Sequence, residues 1–409
     1  MNFRVSQNFP YTKQPSLPVR VLHVFKSSHQ QSMGGVENAI RQMVYASSML
    51  GMENTILCIG GKNRPANNNG DAETPVDANR DCRASIIACP ASLSYDSIAF
   101  SRLMFGRFKA LVREHDLVHY HFPFPQQDIM HLLFKPGIPS VLTYHSDIVR
   151  QRFLYKFYRP LLTTFLSRVD AIVATSGNYL DSSRVLGRYK NKVCVIPLGL
   201  DPALYPEADH PERQQWESRV GRDFFLFIGA LRYYKGLEIL LQAAVKTDKR
   251  FVIAGIGPMQ AHLRSRARRM GLQNVTFLGA VSDADKAALL TLCRALVFPS
   301  LLRSEAFGLA LVEGAMFGRP LISCDIGTGT SFINQHGRTG LVVKPADPAG
   351  LVDAVETLAR NPDLAETYGQ NARMRFLSLF TAEAQAMQYA ALYGRLLGIP
   401  FALPAQEAP

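Results

Sequence analysis

Two cations and two carboxylates in this chain are of types, and stand in local settings, that suit anionic phosphates and paired hydroxyls. Arg232 and Lys235 stand in Ile228-Gly-Ala-Leu-Arg232-Tyr-Tyr-Lys235-Gly236, directly after an apolar run and at the opening of a helical one. Two fixed positive charges at a helix mouth suit a diphosphate, and arginine adds a planar fork matched to its oxygens. Glu305 and Glu313 stand eight positions apart in Ser304-Glu305-Ala306-Phe307-Gly308-Leu309-Ala-Leu-Val-Glu313, downstream of Pro299. A helical pattern begins near Gly308, which puts Glu305 in a loop and Glu313 one to two turns into a helix. Backbone N–H groups from Ala306 to Leu309 then form a helix N-terminus able to hold a phosphate. A carboxylate suits paired sugar hydroxyls, because it accepts two hydrogen bonds and donates none. Plainer readings stand beside these: a helix-start acid, an acid on a solvated face, and a solvated turn with a chance pair of charges.

The elements that must position these residues follow from the apolar pattern. Strand-like runs fall at 19–25, 55–59, 117–121, 140–144 and 171–174, then again at 224–228, 251–254, 275–278, 295–298 and 320–323. Each is continuous rather than alternating, as in parallel strands covered on both faces. Helical spacing appears at Val36, Ile40, Met43 and Val44, over 237–245, and over 382–397. Alternating β and α units predict an α/β protein of two Rossmann-like, doubly wound domains whose strand-end loops face a common cleft. A chain of 409 residues suits two such domains. The expected division is 1–200, 201–381, and a terminal helix and tail at 382–409 that crosses back to the first domain. Pro197, Pro202, Pro206 and Pro211 punctuate the polar stretch near the boundary. Residues 62–84, rich in Asn, Asp and Pro, are expected to be a loop.

Composition narrows the partners. The net charge is +12, which favours polyanions: nucleic acid, an acidic membrane surface, or a phosphate-bearing substrate. No recognised nucleic-acid motif is present. No uncharged apolar run reaches membrane-spanning length, and residues 1–18 lack a signal peptide's apolar core, so a cytoplasmic location is expected. Cys58, Cys82, Cys89, Cys194, Cys293 and Cys324 are scattered, with neither disulfide-framework nor metal spacing. Asp283 and Asp285 have the spelling of a metal motif, but Ser282 before a helical run reads as an N-cap with its acid at the third position. No metal is predicted. Gly255-Ile-Gly257 begins a dinucleotide fingerprint that fails at Gln260. Lone histidines such as His23 and His119 read as core or loop residues. Between 148 and 169, Arg150, Arg152, Lys156, Arg159 and Arg168 interleave with Phe153, Tyr155, Phe157 and Tyr158, with no acid. That suits an anionic interface, or else a surface helix with its aromatics turned to the core. Arg264, Arg266, Arg268 and Arg269 read as a solvated basic face.

Arg232 and Lys235 followed by Glu305 and Glu313, in this order and on these elements, resemble the retaining glycosyltransferases of the GT-B fold known as group 1 or family 4. The resemblance covers nearly the whole chain and is strongest over 224–343. It implies that the cations hold a donor diphosphate, Glu305 the sugar and Glu313 the ribose. Gly34-Gly35-Val36-Glu37 resembles the family's glycine-rich loop beside the donor phosphates. His145, in Thr143-Tyr-His-Ser-Asp147, stands where the family places a histidine near the transferred sugar. Gly257 and Val281 count among the donor-binding positions on the same resemblance. The segment Ile326-Gly-Thr-Gly-Thr330 is similar to bacterial mannosyl- and rhamnosyltransferases of O-polysaccharide assembly. That implies a GDP-sugar donor, a lipid-linked saccharide acceptor, no cofactor, and a peripheral place on the anionic cytoplasmic face of the inner membrane. A UDP-sugar transferase, a nucleotide-sugar epimerase and a basic nucleic-acid binder are the competing classes.

Overall fold

A computed structural model describes residues 18–27, 34–60, 72–75, 84–95, 98–148, 152–205 and 210–399. The expectations placed on residues 1–17, Cys82, Arg150 and Pro206 lie outside the described residues, as do those on the side chains of Arg152 and Phe153. The strands of the first half are β1 (Arg20–Val24), β2 (Glu53–Gly60), β3 (Ala72–Pro75), β4 (Ala84–Pro90), β5 (Leu93–Tyr95), β6 (Ile98–Phe100), β7 (Leu117–Phe122), β8 (Ser140–Tyr144), β9 (Ala171–Ala174) and β10 (Val193–Val195). Those of the second are β11 (Phe225–Ile228), β12 (Phe251–Ala254), β13 (Val275–Gly279), β14 (Ala295–Phe298), β15 (Leu321–Cys324) and β16 (Gly340–Val343). Helices alternate with them: α1 (Gly35–Met49), α2 (Leu103–Leu111), α3 (Pro125–Phe134), α4 (Arg152–Arg168), α5 (Gly177–Ser182), α6 (His210–Val220) and α7 (Leu237–Ala244). The remainder are α8 (Gln260–Arg269), α9 (Asp283–Leu292), α10 (Leu309–Met316), α11 (Gly329–Ile333), α12 (Pro348–Arg360), α13 (Pro362–Leu379) and α14 (Ala382–Leu397).

Beside a small antiparallel pair of β5 with β6, the described strands form two large sheets, one of eight strands in the order β10-β9-β8-β7-β1-β2-β4-β3 and the other of six in the order β13-β12-β11-β14-β15-β16. Every pairing in these two is parallel except β3 with β4. Strands β7, β8, β11, β12, β14 and β15 are buried at every position, which is why their apolar runs do not alternate. The segment read as a loop over 62–84 contains β3, which lies at the sheet edge, where a short polar strand carries no apolar signature. β4, β10 and β16 also escaped the pattern, because serine, cysteine or half-buried positions interrupt their apolar character.

The chain crosses back at its end. Leu200 N–H donates to Phe380 and Ala382 N–H to Leu200, 2.9 and 3.0 Å. Helix α14 then packs Tyr389, Ala390, Leu392 and Tyr393 against Val21, Leu117, Val141 and Val173 of the eight-stranded sheet. Gly199 is required here, since a Cβ would stand 2.3 Å from the Thr381 carbonyl. Among the described residues no helix is long and apolar enough to cross a membrane.

Candidate active site

The cation pair is placed by the turn that leaves β11. Arg232 precedes a single 3-10 turn, Tyr233–Lys235, and Gly236 ends it at φ +71°. A Cβ on Gly236 would lie 1.8 Å from the Pro299 carbonyl, so only glycine lets this turn lie against the end of β14. Lys235 Nζ thereby reaches the Glu305 carboxylate and sits 4.4 Å from the Phe298 ring centroid. The two side chains are only 11% and 12% exposed, which excludes the solvated-turn and ordinary helix-start readings. Arg232 is exposed and has no ion-pair partner among the described residues. Gly257 packs on the backbone of Leu231, 2.5 Å from where its Cβ would be, and so allows the β12 loop to support the Arg232 turn.

Helix α10 starts at Leu309 after Gly308, whose φ is +100° and which supplies no side-chain cap. Its first N–H groups are therefore left for another acceptor. Ala306 and Phe307 are buried, and Ala306 belongs to the apolar core of the first half. Across the cleft, α1 also begins uncapped, at Gly34. A Cβ on Gly35 would lie 3.9 Å from the Leu309 side chain, so the two helix mouths face each other. Gly34 wraps around Glu37, whose Oε1 accepts a 2.6 Å hydrogen bond from Ser27 Oγ.

Glu313 is 6% exposed, which excludes the solvated-face reading. Its Oε1 accepts from Tyr205 OH at 2.8 Å and from Lys286 Nζ at 3.0 Å. Burial pulls the Lys286 ammonium down, but Glu313 and Asp283 outweigh it and hold it above its ordinary value. Val281 is half-buried beside the start of α9, the helix that carries Lys286. The two aspartates are occupied structurally. Ser282 and Asp285 form a reciprocal capping box, Trp216 Nε1 donates to Asp285 at 2.7 Å, and Asp283 pairs with Lys286.

His145 follows β8 at the cleft end of the first sheet and is buried. Two residues further on, Asp147 meets Arg303, itself two residues before Glu305, at 3.3 Å across the cleft. Arg303 Nη1 and Ser182 Oγ both donate to the Gly327 carbonyl, at 3.2 and 2.5 Å, and Asn178 donates to Ser331. The Ile326-Gly-Thr-Gly-Thr330 segment thus touches both halves. Sequence reasoning missed Tyr205, Lys286, Asp147 and Arg303. The one signal available was the matching offset of Asp147 and Arg303 from His145 and Glu305.

Other sequence expectations divide. On α4, Lys156, Arg159 and Arg168 are exposed, as is Phe157 at 73%. Tyr155 and Tyr158 instead pack toward the core, and Tyr158 OH donates to buried Asp128, so the aromatics do not form one outward stripe. On α8, Arg264 caps the Phe277 carbonyl at 3.1 Å and Arg266 pairs with Glu238 at 3.7 Å, so that face is only partly solvated. His23 and His119 are core residues, as expected. With His121 they bring ring nitrogens within 4.8 Å of one another, a cluster that no spacing in the sequence announced.

Two facing Rossmann-like sheets, with a cation pair and two acids on one side of the cleft and a histidine on the other, define a GT-B glycosyltransferase frame. The chain superposes on sucrose-phosphate synthase from Thermosynechococcus elongatus with a TM-score of 0.75 at 22% identity, covering 93% of this chain and 99% of that one. The model for glycosyl transferases group 1 matches residues 209–375, and that for glycosyltransferase family 4 matches 33–204. D-rhamnosyltransferase WbpZ of Pseudomonas aeruginosa is 47% identical over 89% of this chain and 93% of its own length. O-antigen chain mannosyltransferase C of Escherichia coli is 44% identical over 93% of this chain and 99% of its own. The chain belongs to glycosyltransferase family 4 and is a hexosyl-transferring enzyme.

Proposed function

We propose that this protein moves a hexosyl group, mannose or D-rhamnose, from a GDP-sugar to a lipid-linked saccharide during lipopolysaccharide O-antigen assembly, with retention at the anomeric carbon. The observation that carries this reading is the Lys235–Glu305 pair beside exposed Arg232, set at two facing, uncapped helix mouths. The activities named for the two relatives, D-rhamnosyl and O-antigen mannosyl transfer, support the choice of sugar and acceptor.

Departure of the nucleoside diphosphate builds negative charge on its β-phosphate and positive charge on the sugar ring. Arg232, Lys235 and the amides of Ala306, Phe307, Gly308 and Leu309 stabilise the first. Gly34 and Gly35 let the α1 mouth approach the same phosphates. Glu305 accepts hydrogen bonds from the sugar, and Glu313, held through Oε1, offers Oε2 to the ribose. Gly257 and Val281 shape the nucleoside side, and His145 faces the sugar from the other half. The acceptor hydroxyl attacks on the face the phosphate leaves, and the departing oxygen takes its proton, so no protein nucleophile is required. The two cations do the work of a metal, and the reaction needs none. The enzyme works at the cytoplasmic face of the inner membrane, with the exposed cations of α4 against anionic lipid.

The test is mass analysis of a lipid-linked saccharide after incubation with GDP-mannose, GDP-D-rhamnose and UDP-hexoses in turn. Growth by one hexosyl unit from a GDP-sugar alone supports the proposal. Growth from a UDP-sugar alone replaces the donor, and no growth from any of these sugars would contradict the proposed acceptor.

A further inference from the structure

Four histidines and one asparagine line the face of the eight-stranded sheet that lies under α1 and α14. His23 lies on β1, His119 and His121 lie two apart on β7, and His145 follows β8. The same-face alternation of strands therefore gathers residues from distant parts of the chain. The contacts form a line: Asn54 Oδ1 to His23 Nε2 at 3.0 Å, His23 Nδ1 to His121 Nε2 at 3.3 Å, and His121 Nδ1 to His145 Nε2 at 3.1 Å. It runs from the start of β2 to the cleft end of β8.

The direction of every proton in this line is fixed by its anchor. Asn54 Nδ2 faces the carbonyls of Val44 and Met52, both at 3.4 Å, and these can only accept. The amide oxygen of Asn54 must therefore face His23, whose Nε2 must carry the proton. A neutral ring has one proton, so His23 Nδ1 accepts, and His121 Nε2 donates to it. By the same step His121 Nδ1 accepts from His145 Nε2. Burial keeps these rings neutral: it pushes His23 down to about 4 and His145 to about 3, and holds His121 well below its ordinary value. His145 Nδ1 then carries a lone pair and has no partner among the described residues.

We propose that Asn54, His23 and His121 are positioning residues that lock the tautomer of His145, making its Nδ1 a fixed hydrogen-bond acceptor for a hydroxyl of the transferred sugar. The assignment of that hydroxyl rests on the donor-site reading above; the locked tautomer does not. His119 braces the line from the side. It stacks on His121 with ring centroids 4.4 Å apart, while its own nitrogens meet Tyr393 OH and Thr143 Oγ1, each at 2.7 Å. The close nitrogens of His23, His119 and His121 are thus committed to hydrogen bonds. Asn54, Tyr393 and Thr143 complete a network with no need of an ion.

The first test is spectroscopic and uses the whole, unaltered protein labelled with 15N at histidine. Long-range proton–nitrogen correlations identify each ring's tautomer, with assignments from single His→Gln variants. The expected result is the Nε2–H form for His23, His121 and His145 alike at neutral pH. A predominantly Nδ1–H or doubly protonated ring at any of the three would overturn the proposal, as would a stoichiometric bound transition metal. The second test compares His121→Leu with His121→Gln, which can still donate and accept. The leucine variant should lose about tenfold in kcat/KM for the sugar donor, the worth of one hydrogen bond, with inhibition by free GDP unchanged and the glutamine variant largely rescued. Equal loss of GDP binding and sugar transfer would mean a purely structural role. Locked tautomers with unchanged transfer in the leucine variant would remove the sugar contact.

Discussion

Lys235 and Glu305 neutralise each other at a depth where only 11% and 12% of their side chains meet water. A donor that takes the lysine with its phosphates and the glutamate with its sugar exchanges this contact for two, and neither charge is left buried and unpaired. Glu313 is prepared differently, since Tyr205 and Lys286 fix one oxygen before any ligand arrives. Asp283 and Asp285 show the opposite outcome for acids at suggestive spacing. One pairs with Lys286, while the other caps α9 and binds Trp216. Transfer is therefore expected to continue at an undiminished rate in excess EDTA. If chelation stops the reaction and magnesium or manganese restores it, these aspartates are not merely structural.

At the scale of elements, β1 and β7 carry histidines into the core as neutral rings. Burial lowers His23 to about 4 and His145 to about 3, and puts His119 and His121 well below the ordinary 6.5. The unfolded chain binds protons first as pH falls, so this stability is complete above 6.5 and is lost from there toward 4 and 3. Each ring contributes up to about 1.4 kcal/mol per pH unit over its window. The melting temperature should fall steeply below pH 6.5; a flat profile down to pH 4 would contradict the buried neutral rings. Helix α4 turns Tyr155, Tyr158, Leu162 and Phe165 to the core and Lys156, Arg159 and Arg168 to solvent. Its exposed cations, together with Arg150, should bind anionic vesicles at low salt and release them as salt rises, because screening acts over about 10 Å at 0.1 M. Each near-surface cation adds around 1 kcal/mol. Exchanging Arg150, Arg152, Lys156 and Arg159 for glutamine should weaken co-sedimentation while sparing transfer to a short soluble acceptor. Equal sedimentation of the two proteins would leave α4 an ordinary surface helix.

The whole molecule brings together groups that the chain keeps far apart. Continuous apolar runs made the two parallel sheets legible, because a strand covered on both faces has nowhere to place polar residues. The edge strand β3 was not legible, since an edge need not be apolar. The cation turn and the Glu305 loop could be read as local motifs, each a few residues long. Their mutual contact could not, because Lys235 and Glu305 are 70 residues apart and meet only through the Gly236–Pro299 approach. The Arg303–Asp147 bridge, 156 residues apart, and the histidine line depend on how strands are ordered in space, which no local spacing encodes. In the proposed mechanism Arg232 and Lys235 hold the leaving diphosphate. The measurement that tests it most directly is the transfer rate of Arg232→Ala and Lys235→Ala at saturating donor, read beside their melting temperatures. Each variant should lose about 100-fold or more in rate, near 3 kcal/mol of transition-state stabilisation, with the fold retained. Near-normal turnover in either would contradict it.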